Sequence, residues 1–313
     1  MFKSINDFTP LNLREEKNKF FNDFWYNPQF VYKDEINKES LTLWGIPKEN
    51  YYQHALEELK LHPKGIPHGT IVTEADVVSI IENYNIRFGF DPKIEVTFSD
   101  MFPVRCSVTL SHIRFGLPLT YTNETLQDLC RHEIETHILR ILNNNKQPWA
   151  HEPPNELLFR RTEEGLANIH THLFRSDKII YKTYRTYVAT YLAQQHSFSE
   201  VFHILEEMGV QQHLAWLLTL RTKRGLTDTA QKGGVTKDIC YFEGVVDTWN
   251  WIHNLHNDPH DLYLGRIDIS QVTERKKIAT AEGLIYPELF SSMDEYYSNI
   301  MKLGEINHLE ELL

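Results

Sequence analysis

Cysteine is scarce in this 313-residue chain, and the three that occur, Cys106, Cys130 and Cys240, are widely separated with no CxxC pair. Such an odd, dispersed set suggests neither a disulfide framework nor a cysteine zinc cluster. Long apolar runs are also missing. No stretch approaches the roughly 20 apolar residues that span a bilayer. The opening Met1-Phe2-Lys3-Ser4-Ile5-Asn6-Asp7 lacks the apolar core of a secretory signal. Basic charge is in deficit, 32 Lys and Arg against 43 Asp and Glu, for a net charge of -11. No general positive field draws nucleic acid to such a chain, and no local basic patch replaces it. Repeats and low-complexity tracts are absent. The expectation left is a soluble, cytoplasmic protein without membrane or nucleic-acid partners. What remains is an ordinary globular mixture, 41% apolar and 24% charged, long enough to bury a full core. Histidine is plentiful, with sixteen residues.

Periodicity divides the chain coarsely. Helices are expected over Leu13 to Tyr26, stopping at Asn27-Pro28, and over Lys48 to Leu61, stopping before Pro63. Pro63 to Thr70 reads as a loop from its glycine and proline, and Thr73 as the cap of a helix from Glu74 to Asn85. Ile94 to Phe98 alternates apolar and polar residues, Val104 to Leu110 is rich in β-branched residues, and Ile113 to Phe115 makes a third candidate strand. Asn123 is the expected N-cap of a helix running to about Leu142, which buries Leu126, Leu129, Cys130, Ile134, Ile138 and Ile141. Helices then follow over Glu156 to Phe174, Lys178 to Gln195, Ser199 to Met208, Gln211 to Thr222 and Thr236 to His256, with an acidic surface helix from Glu305 to Leu313. Gly225 and Gly233-Gly234 bracket a loop whose backbone could approach a ligand closely. The expected organisation is a helical region, residues 1–90, packed on a domain of residues 91–313, together one compact unit.

Chemistry concentrates in Arg131-His132-Glu133-Ile134-Glu135-Thr136-His137. A hydrolytic zinc ion needs nitrogen or oxygen donors on a rigid element, an open position for water and a nearby base. The familiar arrangement sets two histidines at i and i+4, about 40° apart around a helix. Here the spacing is i and i+5, which a regular helix separates by about 140°, too wide for one ion. A single π-turn, with roughly 4.4 residues per turn, returns both imidazoles to one face. The spacing therefore predicts a local widening between His132 and His137. A third ligand is expected from Thr162-Glu163-Glu164-Gly165-Leu166-Ala167, on an antiparallel helix reached through a loop containing Pro148, Pro153 and Pro154. Gly165 and Ala167 are small enough for close helix approach. Periodicity alone leaves Glu163 and Glu164 equivalent.

These residues resemble a known family, the tyrosine carboxypeptidases that act on tubulin tails. Its bacterial relatives are described as flavohemoglobin-expression-modulating proteins with a QEGLA motif. The likeness is carried by His132 to Arg140 and by Thr162 to Ala167. It extends to Asn27-Pro28-Gln29-Phe30-Val31-Tyr32, Pro67-His68-Gly69-Thr70, Arg221 to Gly225 and Gly233 to Tyr241. The resemblance implies His132, His137 and Glu164 as the ligands of one Zn2+ ion, with Glu133 as the catalytic base. Where the family version has glycine, this chain carries Glu135, and the chain lacks an obvious basic extension for microtubules. The expected fold is α+β and predominantly helical, a zincin-like metallopeptidase with a small sheet beside the active-site helix.

The corresponding function is a zinc metallocarboxypeptidase that removes a C-terminal residue, aromatic in the family, from a peptide or protein tail by zinc-activated water. Gripping the substrate's terminal carboxylate calls for a cation and hydroxyl donors, for which Arg224, Lys237 and Tyr241 are the candidates. His170 and His172 point opposite ways on a helix and read as structural or surface groups, and Trp249 and Trp251 as core or pocket packing. Competing readings are a zinc endopeptidase, a non-haem iron oxygenase using the same donors, and a non-catalytic regulator that binds C-terminal tails. A ferritin-like di-iron site is disfavoured because neither metal helix carries a Glu-x-x-His pair.

Overall fold

The computed structural model describes residues 8–62, 69–102, 105–152 and 155–313. The residues expected to begin the second strand (Val104), to form much of the 63–70 loop and to contribute Pro153 and Pro154 lie outside that set. The chain begins with helices α1 (Leu13–Asn22), α2 (Glu49–Leu61) and α3 (Glu74–Phe88). Strands β1 (Glu95–Ser99), β2 (Cys106–Val108) and β3 (His112–Gly116) follow. Helix α4 (Asn123–Cys130) runs through a π-helical stretch (Arg131–Ile138) into α5 (Leu139–Asn144). Next come α6 (Glu156–His172), α7 (Tyr181–Ala193), α8 (Phe198–Glu207), α9 (Gln212–Lys223) and α10 (Ile239–His253). Short helices, including α11 (Val272–Lys276), lead to α12 (Met293–Ile306). The architecture is α+β and predominantly helical. Among the described residues, no helix is long and apolar enough to cross a membrane.

Local chemistry explains where these helices begin. Thr73 accepts from the Asp76 amide while the Asp76 side chain accepts from the Thr73 amide, and Ser197 does the same with Glu200. Each reciprocal pair satisfies donors that the first turn would otherwise leave open. At α4 the capping residue is Thr122, paired in the same way with Thr125. This moves the expected cap back one position from Asn123, because the Thr122 hydroxyl is the one that reaches the Thr125 amide. Helix α3 stops at Gly89, which adopts the left-handed conformation.

Two compact units divide the molecule. One comprises Met1–Lys64, Ile180–Val246 and Glu311–Leu313, and the other Gly65–Ile179 and Asp247–Glu310. They interleave along the sequence, so residues 65–90 fold with the strands and residues 180–246 fold with the N-terminal helices. In the first unit Phe20 is fully buried and touches Phe198, Phe202 and Trp216, with ring centroids 5.1, 4.8 and 4.9 Å away. Such aromatic packing, edge-on with the two phenylalanines and tilted with Trp216, adds about 0.5–1.5 kcal/mol per pair beyond the area buried.

The second unit holds the sheet and the metal-type motif. Strand order is β1-β3-β2, with β1 parallel and β2 antiparallel to β3. Ile113 and Phe115 of β3 are buried at 2% and 0% exposure, so one face of the central strand feeds the core. Trp249 is buried as expected and donates its indole N–H to the Ile300 carbonyl at 2.9 Å. Trp251 is buried too.

The loop from Gly225 to Gly234 lies close to its own unit. At Gly234 (φ +148°) a Cβ would stand 2.1 Å from the Thr222 carbonyl oxygen, and at Gly225 (φ +93°) one would stand 2.5 Å from Leu41. These glycines permit close packing of this segment on neighbouring chain. The expected role in approaching a ligand is thus taken by the Thr222 backbone, to which Val235 donates its N–H at 2.7 Å.

Candidate metal centre

The helix widens where the spacing of its histidines requires it. Residues 131–138 form a π-helix between two ordinary helical segments, and the imidazole centroids of His132 and His137 come within 4.9 Å of one another. Helix α6 packs against this stretch through its buried face, which includes Glu163, Glu164, Gly165 and Ala167. One donor atom from each of His132, His137 and Glu164 lies within 4.8 Å of the other two. Nε2 of each histidine is 3.8 Å from Glu164 Oε2. Glu163, left equivalent by periodicity, turns elsewhere.

Each member of the trio has an orienting partner: Glu163, a candidate ligand from the sequence, serves His137, while Thr171 and Arg160 were not picked out from the sequence. Thr171 Oγ1 donates to the Ala167 carbonyl at 2.7 Å, so at 3.0 Å it accepts from the Nδ1–H of His132. His137 donates its Nδ1–H to Glu163 Oε1 at 2.9 Å. Both hydrogen bonds select the tautomer that points Nε2 at Glu164. Glu164 in turn receives Arg160 Nη1 on its other oxygen at 3.3 Å, and Arg160 also pairs with Glu156 at 2.8 Å. Residues 160, 164 and 171 follow helical spacing on α6, the signal that could have found them.

Glu163 anchors a further buried network. Its second oxygen accepts from Arg266 Nε at 3.0 Å, and the fully buried Arg140 guanidinium lies 3.8 Å away. Burial opposes ionisation of Glu163, yet the hydrogen bond and charge of His137, with Arg140 and Arg266, hold its carboxyl far below the usual range. Burial likewise opposes a charged His137, while Glu163, Glu164 and Glu133 hold it up. The cluster is thus a trap for positive charge.

Donor chemistry fits a zinc ion. Two imidazoles and one carboxylate form a common hydrolytic ligand set. Tetrahedral ligands about 2.0–2.2 Å from zinc lie roughly 3.3 Å apart, against 3.8 Å from each imidazole to Glu164 and at most 4.8 Å within the trio, so binding would draw the three donors inward.

Glu133 sits half-buried on the same π-helical stretch. Burial, with the Glu133 charge added, pushes the Cys106 thiol of β2 up to about 12. Tyr121 is likewise raised to about 12, chiefly by burial, with smaller contributions from Cys106 and Glu133. Glu135 is only 2% exposed and faces away from the trio, accepting from the Tyr84 hydroxyl at 2.9 Å and the Leu289 amide at 3.4 Å. His170 and His172 are both buried and hydrogen-bonded inside the unit.

Arg224, Lys237 and Tyr241 belong to the first unit, whereas the trio belongs to the second. Locally, Arg221 forms a two-pronged pair with the buried Asp238, one contact of 2.8 Å, and its guanidinium lies 5.7 Å from the Tyr241 ring. Arg221 is the residue the sequence reading passed over. Among the described residues, the buried Nε of Arg224 has no hydrogen-bond partner. Burial, the dominant cause, and the neighbouring Arg221 lower the Arg224 guanidinium, against the opposing charge of Asp238.

Comparison with known proteins gives the family. MATCAP2 of Mus musculus is 30% identical over 327 residues, covering 96% of this chain and 61% of its own length. Microtubule-associated tyrosine carboxypeptidase 1 of Mus musculus and of Homo sapiens are each 26% identical, over 96% of this chain and 68% of their own length. The chain thus spans between three fifths and seven tenths of these relatives. A family model described as microtubule-associated tyrosine carboxypeptidase matches residues 31–305, and the chain belongs to that family.

Proposed function

We propose that this protein is a zinc-dependent metallocarboxypeptidase that removes the last residue from a peptide or protein tail. The observation that carries the reading is the meeting of His132, His137 and Glu164 around one point across a widened helix turn. Family membership supports the reaction class, since the relatives are named for carboxypeptidase activity on tyrosine. Their names also motivate an aromatic terminal residue as the preferred one. Microtubule association belongs to those relatives, and tubulin is one candidate tail for this chain.

His132, His137 and Glu164 would hold the ion in a zincin-like catalytic domain. Zinc, when bound, supplies a Lewis acid that polarises the scissile carbonyl and acidifies water. Glu133, one residue from a ligand, takes the proton of the attacking water and returns it to the leaving amine. Thr171, Glu163 and Arg160 keep the donors aimed. Arg224, Lys237 and Tyr241 are proposed to grip the terminal carboxylate, and Arg224→Gln then raises KM for peptides more than it lowers kcat.

Profiling residue release from a peptide library, with and without a zinc chelator, tests the proposal. Stepwise release of C-terminal aromatic residues that stops with chelator and returns with zinc is the expected result. Glu133→Gln should abolish release while zinc stays bound. Chelator-insensitive release, or cleavage confined to chain interiors, would overturn the assignment.

A further inference from the structure

A π-turn shifts the backbone ladder to i→i+5, and a carbonyl within it can take a further donor on its second lone pair. Here side-chain hydroxyls reach two carbonyls of the widened turn. The Thr136 hydroxyl donates to the Arg131 carbonyl at 2.9 Å, and the Tyr263 hydroxyl donates to the Glu135 carbonyl at 2.7 Å. Thr136 is fully buried and its proton is committed, so its oxygen must accept from His170 Nδ1, 2.9 Å away. A neutral imidazole that donates from Nδ1 accepts at Nε2, and there the Tyr296 hydroxyl stands at 3.1 Å. With the Thr136 proton on the Arg131 carbonyl, the hydrogens run in one direction: Tyr296 to His170, His170 to Thr136, Thr136 to the Arg131 carbonyl.

We propose that this one-way relay from Tyr296 through His170 and Thr136 sets the widened turn, making these three side chains positioning residues for the metal ligands His132 and His137. The inference rests on the zinc reading and deepens it, since the turn is what brings imidazoles at i and i+5 onto one face. Burial, with the nearby charges of Arg140 and Arg131, pushes His170 down to about 3, so it stays neutral and keeps one donor and one acceptor. Tyr296 is fully buried and fixes which nitrogen carries the proton. Were that hydroxyl missing, the imidazole could turn its lone pair to Thr136. The threonine proton would then be drawn away from the Arg131 carbonyl.

Zinc affinity, measured by chelator competition on the full-length protein, and the visible spectrum of the cobalt-substituted protein test the relay. Thr136→Val keeps the shape and removes the hydroxyl, and zinc affinity should fall about 10–100-fold with an altered cobalt spectrum. Thr136→Ser restores the hydroxyl and should bind within a few-fold of the native chain. Tyr296→Phe should weaken binding several-fold in the same direction, and it serves if Thr136→Val does not fold. Ile300→Val, a buried change on the same helix as Tyr296, is the control for lost stability and should leave affinity unaltered. Native affinity in Thr136→Val, or in Tyr296→Phe where that variant stands in, would overturn the relay, as would an equal loss in Ile300→Val. If the native chain itself takes up no zinc, the metal reading fails first and the relay falls with it.

Discussion

At the scale of single residues, the ligand trio depends on which way each side chain faces. A histidine presents Nε2 to a cation only if Nδ1 is held by an acceptor. His132 has a neutral acceptor in Thr171, whereas His137 has the Glu163 carboxylate, itself braced by Arg266 and Arg140. The charged partner should make His137 the stronger donor, because it stabilises positive charge on the ring as the ion draws electron density. Glu163→Gln keeps an acceptor of nearly the same shape but removes the charge, leaving two guanidinium groups short of an anion. Zinc affinity should then fall about 10–100-fold, with Thr171→Val costing less. Chelator competition measures both, and a larger loss in Thr171→Val would reverse the ranking. Glu135 shows the opposite case. A carboxylate beside the motif could have altered the site, but its oxygens are taken by Tyr84 and Leu289.

At the scale of elements, what was legible in the sequence was local. The i, i+5 spacing of His132 and His137 demanded a π-turn because helical geometry leaves no other way to share an ion. Thr73 marked a helix start through its own reciprocal bonds with Asp76. The choice between Glu163 and Glu164 was not legible from periodicity, since it turns on how α6 is rotated against the π-turn. Glycines 225 and 234 misled for a similar reason: the pattern shows that backbone comes close to something, not to what. Lys223 also escaped notice, although it ties three segments together. Its ammonium donates to the carbonyls of Ala193 at 3.1 Å, of Gln231 at 2.8 Å and of His196. Burial pushes this fully buried lysine down to about 7, whereas an unfolded lysine titrates near 10.4. Between those values the unfolded chain binds more protons, so stability should rise with pH across that window and be lost as pH falls toward 7. Urea unfolding at pH 7.5 and 9.5 should show a gain of about 2 kcal/mol in the native chain that Lys223→Met lacks. Equal pH slopes in the two proteins would contradict this.

At the scale of the whole molecule, the two units hold different features. Residues 65–179 and 247–310 contain the trio, its orienting partners and the hydrogen-bond relay, while Ile180–Val246 carries Arg221, Arg224, Lys223 and Tyr241. No periodicity reveals such interleaving, because it depends on which distant segments share a core. The division has a consequence for metal binding. An ion that binds the folded state adds stability only to the openings that destroy its site, by about 4 kcal/mol when zinc is a thousandfold above its Kd. Helix α6, the π-turn and the 259–271 segment that carries Arg266 should therefore gain amide-exchange protection when zinc is restored to chelated protein. Amides of α8 and α9, built around Phe20, Phe198 and Trp216, open without breaking the trio and should exchange at nearly unchanged rates. Hydrogen exchange followed peptide by peptide reads both regions in one experiment. Protection spread equally over α8 and α9 would mean that the units unfold as one, and protection absent from α6 would mean that the trio does not hold the ion.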